Sequence, residues 1–199
     1  FLKHQKSSLL TEFGKIGSLF LVGLIFIYTL LIAFVDEIMQ IPLGENYLIG
    51  QSFWAGSTVV PFVALGYVFY GVYIIQMPSI YLYNKQKWSL IFWCCGALVN
   101  VVGNLILIPK FGILGASIST AFSYFLMMVL LIERNRFWMP IKYASYHILS
   151  FVLLSIVVYF LKTQIILSLF PLCILIVFYT CFLFYFIYNI LLHFESRSC

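Results

Sequence analysis

The amino-acid sequence predicts an all-α integral membrane protein with six transmembrane helices and both termini in the cytoplasm. Composition is the first reason: of 199 residues, 64% are apolar, 20% aromatic and only 9% charged, with a mean hydropathy of +1.09. An ordinary soluble domain carries roughly 25% charged residues and about half apolar ones. A chain of this size keeps too much of its surface outside to hide the excess from water. The second reason is where the charges fall, between apolar stretches of the roughly 20 residues a helix needs to cross hydrocarbon. The third is continuity. Leu19 to Phe26 contains no polar side chain, whereas a barrel strand alternates over ~10 residues.

The segments follow in order. Residues 1–15 form a cytoplasmic amphipathic arm in which Leu9, Leu10, Phe13, Ile16 and Phe20 share helical spacing. Its Lys3, Lys6 and Lys15 would lie toward lipid headgroups, as in a helix resting on the membrane. The first span covers 16–35, closed by Asp36 and Glu37. The second is placed at 57–77, with Pro61 in its first turn and Pro78 at its end, positions a proline tolerates. The third covers 88–108 and is stopped by Pro109; the fourth covers 113–132. Residues 144–161 and 165–191 form a terminal pair, the last inside an apolar run longer than a bilayer is thick, so that tilt is expected.

Orientation rests on lysine and arginine. Nine of the eleven fall on one side of these spans and only Lys110 and Lys162 on the other, which places the rich side in the cytoplasm. The net charge of +5 sits beside apolar runs instead of forming a basic face, so no nucleic-acid partner is expected. Membrane lipids are the expected surroundings.

Reactive constellations are missing from the sequence. There is no Gly-x-Ser-x-Gly, no His-Glu-x-x-His and no phosphate loop, and so no catalytic residue is assigned. Cys94, Cys95, Cys173, Cys181 and Cys199 form no Cys-x-x-Cys, and His4, His147 and His193 stand at no ligand spacing from them. Free thiols are expected, with neither metal nor cofactor. No cleavable leader is evident, and the chain reads as beginning inside a longer protein.

Inside the spans the polar residues are uncharged. Asn100 and Asn104 share a helix face, with Gly96 and Gly103 near it. The following span carries Gly112, Gly115, Ala116, Ser119, Thr120 and Ser123 at three- and four-residue spacing. Such a stripe lets helices approach closely and hydrogen-bond across the contact. Amides meeting hydroxyls within a hairpin is one reading; a polar wall on a hydrated cavity is the other. Tyr70 and Gln76, with Asn100, Asn104, Ser119 and Ser123, are the candidate cavity-lining residues. Tyr81, Tyr83 and Trp88 suit the interfacial belt. His147 suits an interfacial hydrogen bond, and Phe178, Phe182, Phe184 and Phe186 suit lipid.

The run from Asn104 to Thr120, NLILIPKFGILGASIST, resembles the hairpin signature of Wzx-type polysaccharide flippases. These belong to the multidrug/oligosaccharidyl-lipid/polysaccharide exporter superfamily, whose pattern is close to N-L-x-L-I-P-x-x-G-x-x-G-A-A-x-A-T. Pro109, Gly112, Gly115 and Ala116 are its structural hairpin residues, while Ser117 and Ser119 replace the usual alanines. Pro42 to Tyr47 and Pro61 to Lys87 resemble the segments upstream in that family. The resemblance implies the later part of the second lobe of a two-lobe carrier of about twelve to fourteen helices, with the first lobe as a missing partner. It implies flipping of an undecaprenyl-pyrophosphate-linked oligosaccharide across the bacterial cytoplasmic (inner) membrane, for O-antigen, capsule or related polysaccharide biosynthesis. A drug/cation antiporter of the same superfamily and a non-transporting membrane scaffold are the alternatives.

Overall fold

The computed structural model describes residues 2–44, 46–164 and 169–195. Its elements are α1 (Leu2–Met39), a two-stranded antiparallel turn β1 (Pro42–Leu43) and β2 (Asn46–Tyr47), and a 3-10 helix (Gln51–Thr58). Then come α2 (Val60–Gln76), α3 (Pro78–Leu82), α4 (Gln86–Phe111), α5 (Ile113–Trp138), α6 (Ser145–Gln164) and α7 (Leu169–Glu195). Among the described residues, five stretches are long and apolar enough to cross a membrane: Ser8–Met39, Val60–Leu82, Gln86–Phe111, Ile113–Trp138 and Ile176–Glu195; Ser145–Leu161 is a shorter apolar helix.

Several expected boundaries shift. Residues 1–15 are not a separate arm, because α1 runs unbroken through them from Leu2 to Met39. Nothing in that stretch stops a helix: no proline occurs, and its one glycine, Gly14, is buried against the Lys142 carbonyl instead of opening a turn. At 1.5 Å per residue, α1 is about 57 Å long, well beyond the ~30 Å of hydrocarbon. Pro109 does not stop the third span either; it sits inside α4, which ends two residues later. In a final turn the ring forfeits one backbone bond, which the helix survives. Pro78 marks a break, since Met77 separates α2 from α3, yet the helical path resumes to Leu82. Residues 165–168, where the sixth span was expected to begin, and Arg197 and Cys199 lie outside the described residues.

The segment between α1 and α2 is ordered by backbone pairing. Pro42 pairs with Tyr47 and Leu43 with Asn46, and Gly44 supplies the positive φ of 64° the turn needs. The Tyr47 and Trp54 rings meet edge to face at 5.1 Å, and Trp54 Nε1 donates to the Ile49 carbonyl at 2.9 Å.

Chain contacts divide into two compact units, Phe1–Thr29 with Asn135–Cys199, and Leu30–Arg134. In the first, α1 offers Gly14 and Ser18 one turn apart. A Cβ on Gly14 would overlap the Lys142 carbonyl oxygen. Ser18 Oγ donates to the Gly14 carbonyl at 2.7 Å and accepts from the Ala144 amide at 2.9 Å. The connection before α6 is thereby seated on α1, with Met139 and Ala144 buried. Farther along, Tyr179 of α7 stacks between Phe26 of α1 (4.8 Å) and Phe151 of α6 (5.4 Å). Its hydroxyl lies 2.7 Å from Ser155 Oγ. Phe186, expected in lipid, is buried instead against Phe151 at 5.2 Å, whereas Phe178 and Phe184 are exposed. His147 packs its ring on Tyr146, Phe186 and His193.

Tyr143 in that seated connection buries its hydroxyl without a hydrogen-bond partner. Burial pushes its pKa from the ordinary 10.0 up to about 12, because a phenolate there would lose its hydration. The folded state therefore holds the proton that the unfolded chain releases. This contribution to stability is complete below pH 10 and is lost as pH rises toward 12. Thermal unfolding in detergent between pH 8 and 11.5 should fall less steeply for Tyr143→Phe than for the wild type; parallel curves would refute the assignment.

Candidate functional site

In the second unit, α4 and α5 form a tight antiparallel hairpin. Gly112 closes it with φ of +57°, and its amide donates to the Ile108 carbonyl at 2.8 Å. Beyond the turn, a Cβ on Gly115 would overlap the Leu107 carbonyl and stand 2.9 Å from the Ile108 nitrogen. One on Gly103 would meet Ser119 Oγ at 2.6 Å, and one on Gly96 would meet Met127 Sδ at 2.5 Å. These contacts step away from the turn in antiparallel register along the whole hairpin. Small residues are required because the two backbones run so close.

The amide pair lies on this seam. Asn104 Nδ2 donates to Asn100 Oδ1 at 3.1 Å, and Asn100 Nδ2 donates to Thr120 Oγ1 at 3.2 Å. Thr120 in turn donates to the Ala116 carbonyl at 3.0 Å, one turn back along α5. The bond between Asn100 and Thr120 thus joins α4 to α5 across the hairpin. Ser119 and Ser123 are buried. Two buried atoms of the seam, Asn104 Oδ1 and Ser119 Oγ, have no hydrogen-bond partner in the protein. Buried polar atoms are rarely left so.

Tyr70 belongs to a second feature. Its ring lies 4.9 Å from Tyr124 of α5, and 6.1 Å from both Tyr73 of α2 and Trp93 of α4. Tyr67 joins at 6.1 Å from Tyr124. Five rings from three helices thus adjoin one another. Tyr73 is fully buried, while Tyr67 and Trp93 are 58% and 44% exposed, so the cluster has a sealed floor and an open edge. Tyr67, Tyr70 and Tyr73 stand three residues apart on α2, but nothing in the sequence marks Trp93 or Tyr124 as their partners. Gln76 is apart from this: it is buried, its carbonyl accepts from Ser79 Oγ at 2.8 Å, and its Nε2 donates to the Val72 carbonyl at 3.5 Å.

Among the described residues, three grooves flank these elements. One of about 370 Å³ between α2 and α5 is wholly apolar, walled by Phe62, Leu65, Phe69 and Phe125 among others. The second, about 340 Å³, lies between α3 and α4, and the third borders Tyr67. None of the six candidate cavity-lining residues lines them. Cys94, Cys95 and Cys181 are free thiols, and no three His, Cys, Asp or Glu among the described residues converge as metal ligands would.

The long apolar helices, with charges gathered at their ends, define a multi-pass helical membrane protein. A 34-residue stretch is 56% identical to an uncharacterized membrane protein of Methanocaldococcus jannaschii, a match covering 17% of this chain and 7% of that protein. No family model and no solved structure matches the chain.

Proposed function

We propose that the chain is part of a carrier that flips a lipid-linked oligosaccharide, its substrate an undecaprenyl-pyrophosphate-linked unit. The carrier would lie in a bacterial cytoplasmic membrane, six spans of it in this chain with both termini inside, and would need a companion lobe. Alternating access between two such lobes would then do the transport, as in carriers built from repeated halves. The observation that carries this reading is the open-edged cluster of Tyr67, Tyr70, Trp93 and Tyr124 beside the polar seam. Flat aromatic faces bury the C–H faces of sugar rings, and phenol and indole tips bond their hydroxyls. The hairpin signature from Asn104 to Thr120 supports the same reading. Residues 16–35, 57–77, 88–108, 113–132, 144–161 and 165–191 carry no charged side chain, and the proposal includes no chemistry on the substrate.

The runner-up is a drug/cation antiporter, favoured by the attraction of aromatic faces for organic cations. One experiment separates them. In the full-length carrier expressed in a flippase-deficient strain, Tyr70→Ala and Trp93→Ala should each lower surface-glycan export about 3- to 10-fold, the equivalent of one or two lost ring contacts. Membrane levels should stay normal. Unchanged glycan export with lowered tolerance to a cationic dye would favour the antiporter; no change in either would leave the cluster a packing feature.

A further inference from the structure

A cationic rim and an amphiphilic groove meet at the start of α4. The turn from α3 is fixed by the Lys85 amide donating to the Ile80 carbonyl at 2.7 Å, and the Trp88 amide to the Lys85 carbonyl at 2.8 Å. Lys85 and Lys87 are exposed there. From the end of α5, the Arg134 guanidinium lies 4.1 Å over the Trp88 ring. A guanidinium held over an indole keeps N–H donors available for an oxyanion. Beside this rim is the 340 Å³ groove of Ile80, Tyr81, Gln86, Ser89, Leu90 and Trp93. Gln86 and Ser89, at its polar end, belong to the first helical turns; Leu90 and Trp93 lead from there along the span.

We propose that this corner binds one anionic glycerophospholipid. Its phosphate would sit among Lys85, Lys87 and Arg134, its glycerol esters by Gln86 and Ser89, and one acyl chain against Leu90 and Trp93. Three cations face one nearby acid, Glu133, so the rim complements a headgroup of net negative charge and discriminates against a zwitterion. Hydrocarbon on one side and cations on the other make the order polar-to-apolar along α4 match that of a lipid. This site does not depend on what the protein carries.

The test uses the full chain purified in a neutral detergent. Phosphatidylglycerol should raise Tm about 2–4 °C above the value with the same mole fraction of phosphatidylcholine. Lys85→Gln, Lys87→Gln and Arg134→Gln combined should erase that difference and leave the phosphatidylcholine value unchanged. Inorganic phosphate alone should give no increment. Equal effects of the two lipids, persistence of the increment in the triple variant, or the same increment from free phosphate would each overturn the proposal. Should the triple variant not fold, native mass spectrometry of Arg134→Gln alone decides, with loss of the retained phosphatidylglycerol expected and retention counting against it.

Discussion

Gly115→Val is expected to prevent recovery of a folded, monodisperse protein. The added Cβ would overlap the Leu107 carbonyl, with the Ile108 nitrogen only 2.9 Å away. Neither neighbour can swing aside as a flexible side chain would, because both are main chain in the last turns of α4. Relief requires the hairpin to splay, and splaying breaks the Asn100–Thr120 bond and opens the Gly103–Ser119 contact farther along. Overpacking of this kind costs about 3 kcal/mol, and loss of the interhelical bond adds ~0.6 kcal/mol. Gly23→Ala is the internal comparison. That glycine is also in a spanning helix, but nothing lies within 4 Å of where its Cβ would stand, so the change should be neutral or stabilise by up to about 1 kcal/mol. Detergent-solubilised yield, size-exclusion profile and thermal unfolding measure both. A well-folded Gly115→Val protein would show that α4 and α5 do not approach as described.

The contrast shows what a sequence discloses. Gly112 and Gly115 could be placed correctly because turn and close approach each demand a residue without a side chain, and the three- and four-residue stripe announced its partner. Asn100 and Asn104 were legible as a shared face for the same periodic reason. Their meeting with Thr120 was one of two readings, since an amide facing a hydroxyl and an amide facing water leave the same pattern. Pro109 was misread because its disruption depends on how many bonds of the helix remain beyond it. The unbroken α1 was missed because an amphipathic arm and a spanning segment differ in composition without differing in helical continuity. The ring clusters could not be read at all: in a chain one-fifth aromatic, only the packing of separate helices tells Tyr124 and Trp93 from the rings that face lipid.

The same difficulty hid Tyr179 in the other unit. Tyr179→Ala is expected to destabilise the protein by about 2–3 kcal/mol. In a soluble core the loss of a large aromatic costs about 3–5 kcal/mol. Part of that is transfer from water, which largely vanishes when the alternative surroundings are lipid tails. What remains is packing. Tyr179 is 1% exposed and lies between the Phe26 and Phe151 rings, so its removal leaves a gap bounded by α1, α6 and α7 together. Tyr179→Phe keeps the stack and loses only the hydroxyl bond to Ser155, for about 0.6 to 1.7 kcal/mol. A double-mutant cycle of Tyr179→Phe with Ser155→Ala should return a coupling near ~0.6 kcal/mol. Unfolding in mixed detergent then ranks the variants: alanine far below phenylalanine, phenylalanine slightly below wild type. If alanine and phenylalanine proved equal, the hydroxyl and not the stack would hold the three helices, and the unit's stability would rest on a polar knot instead of on ring packing.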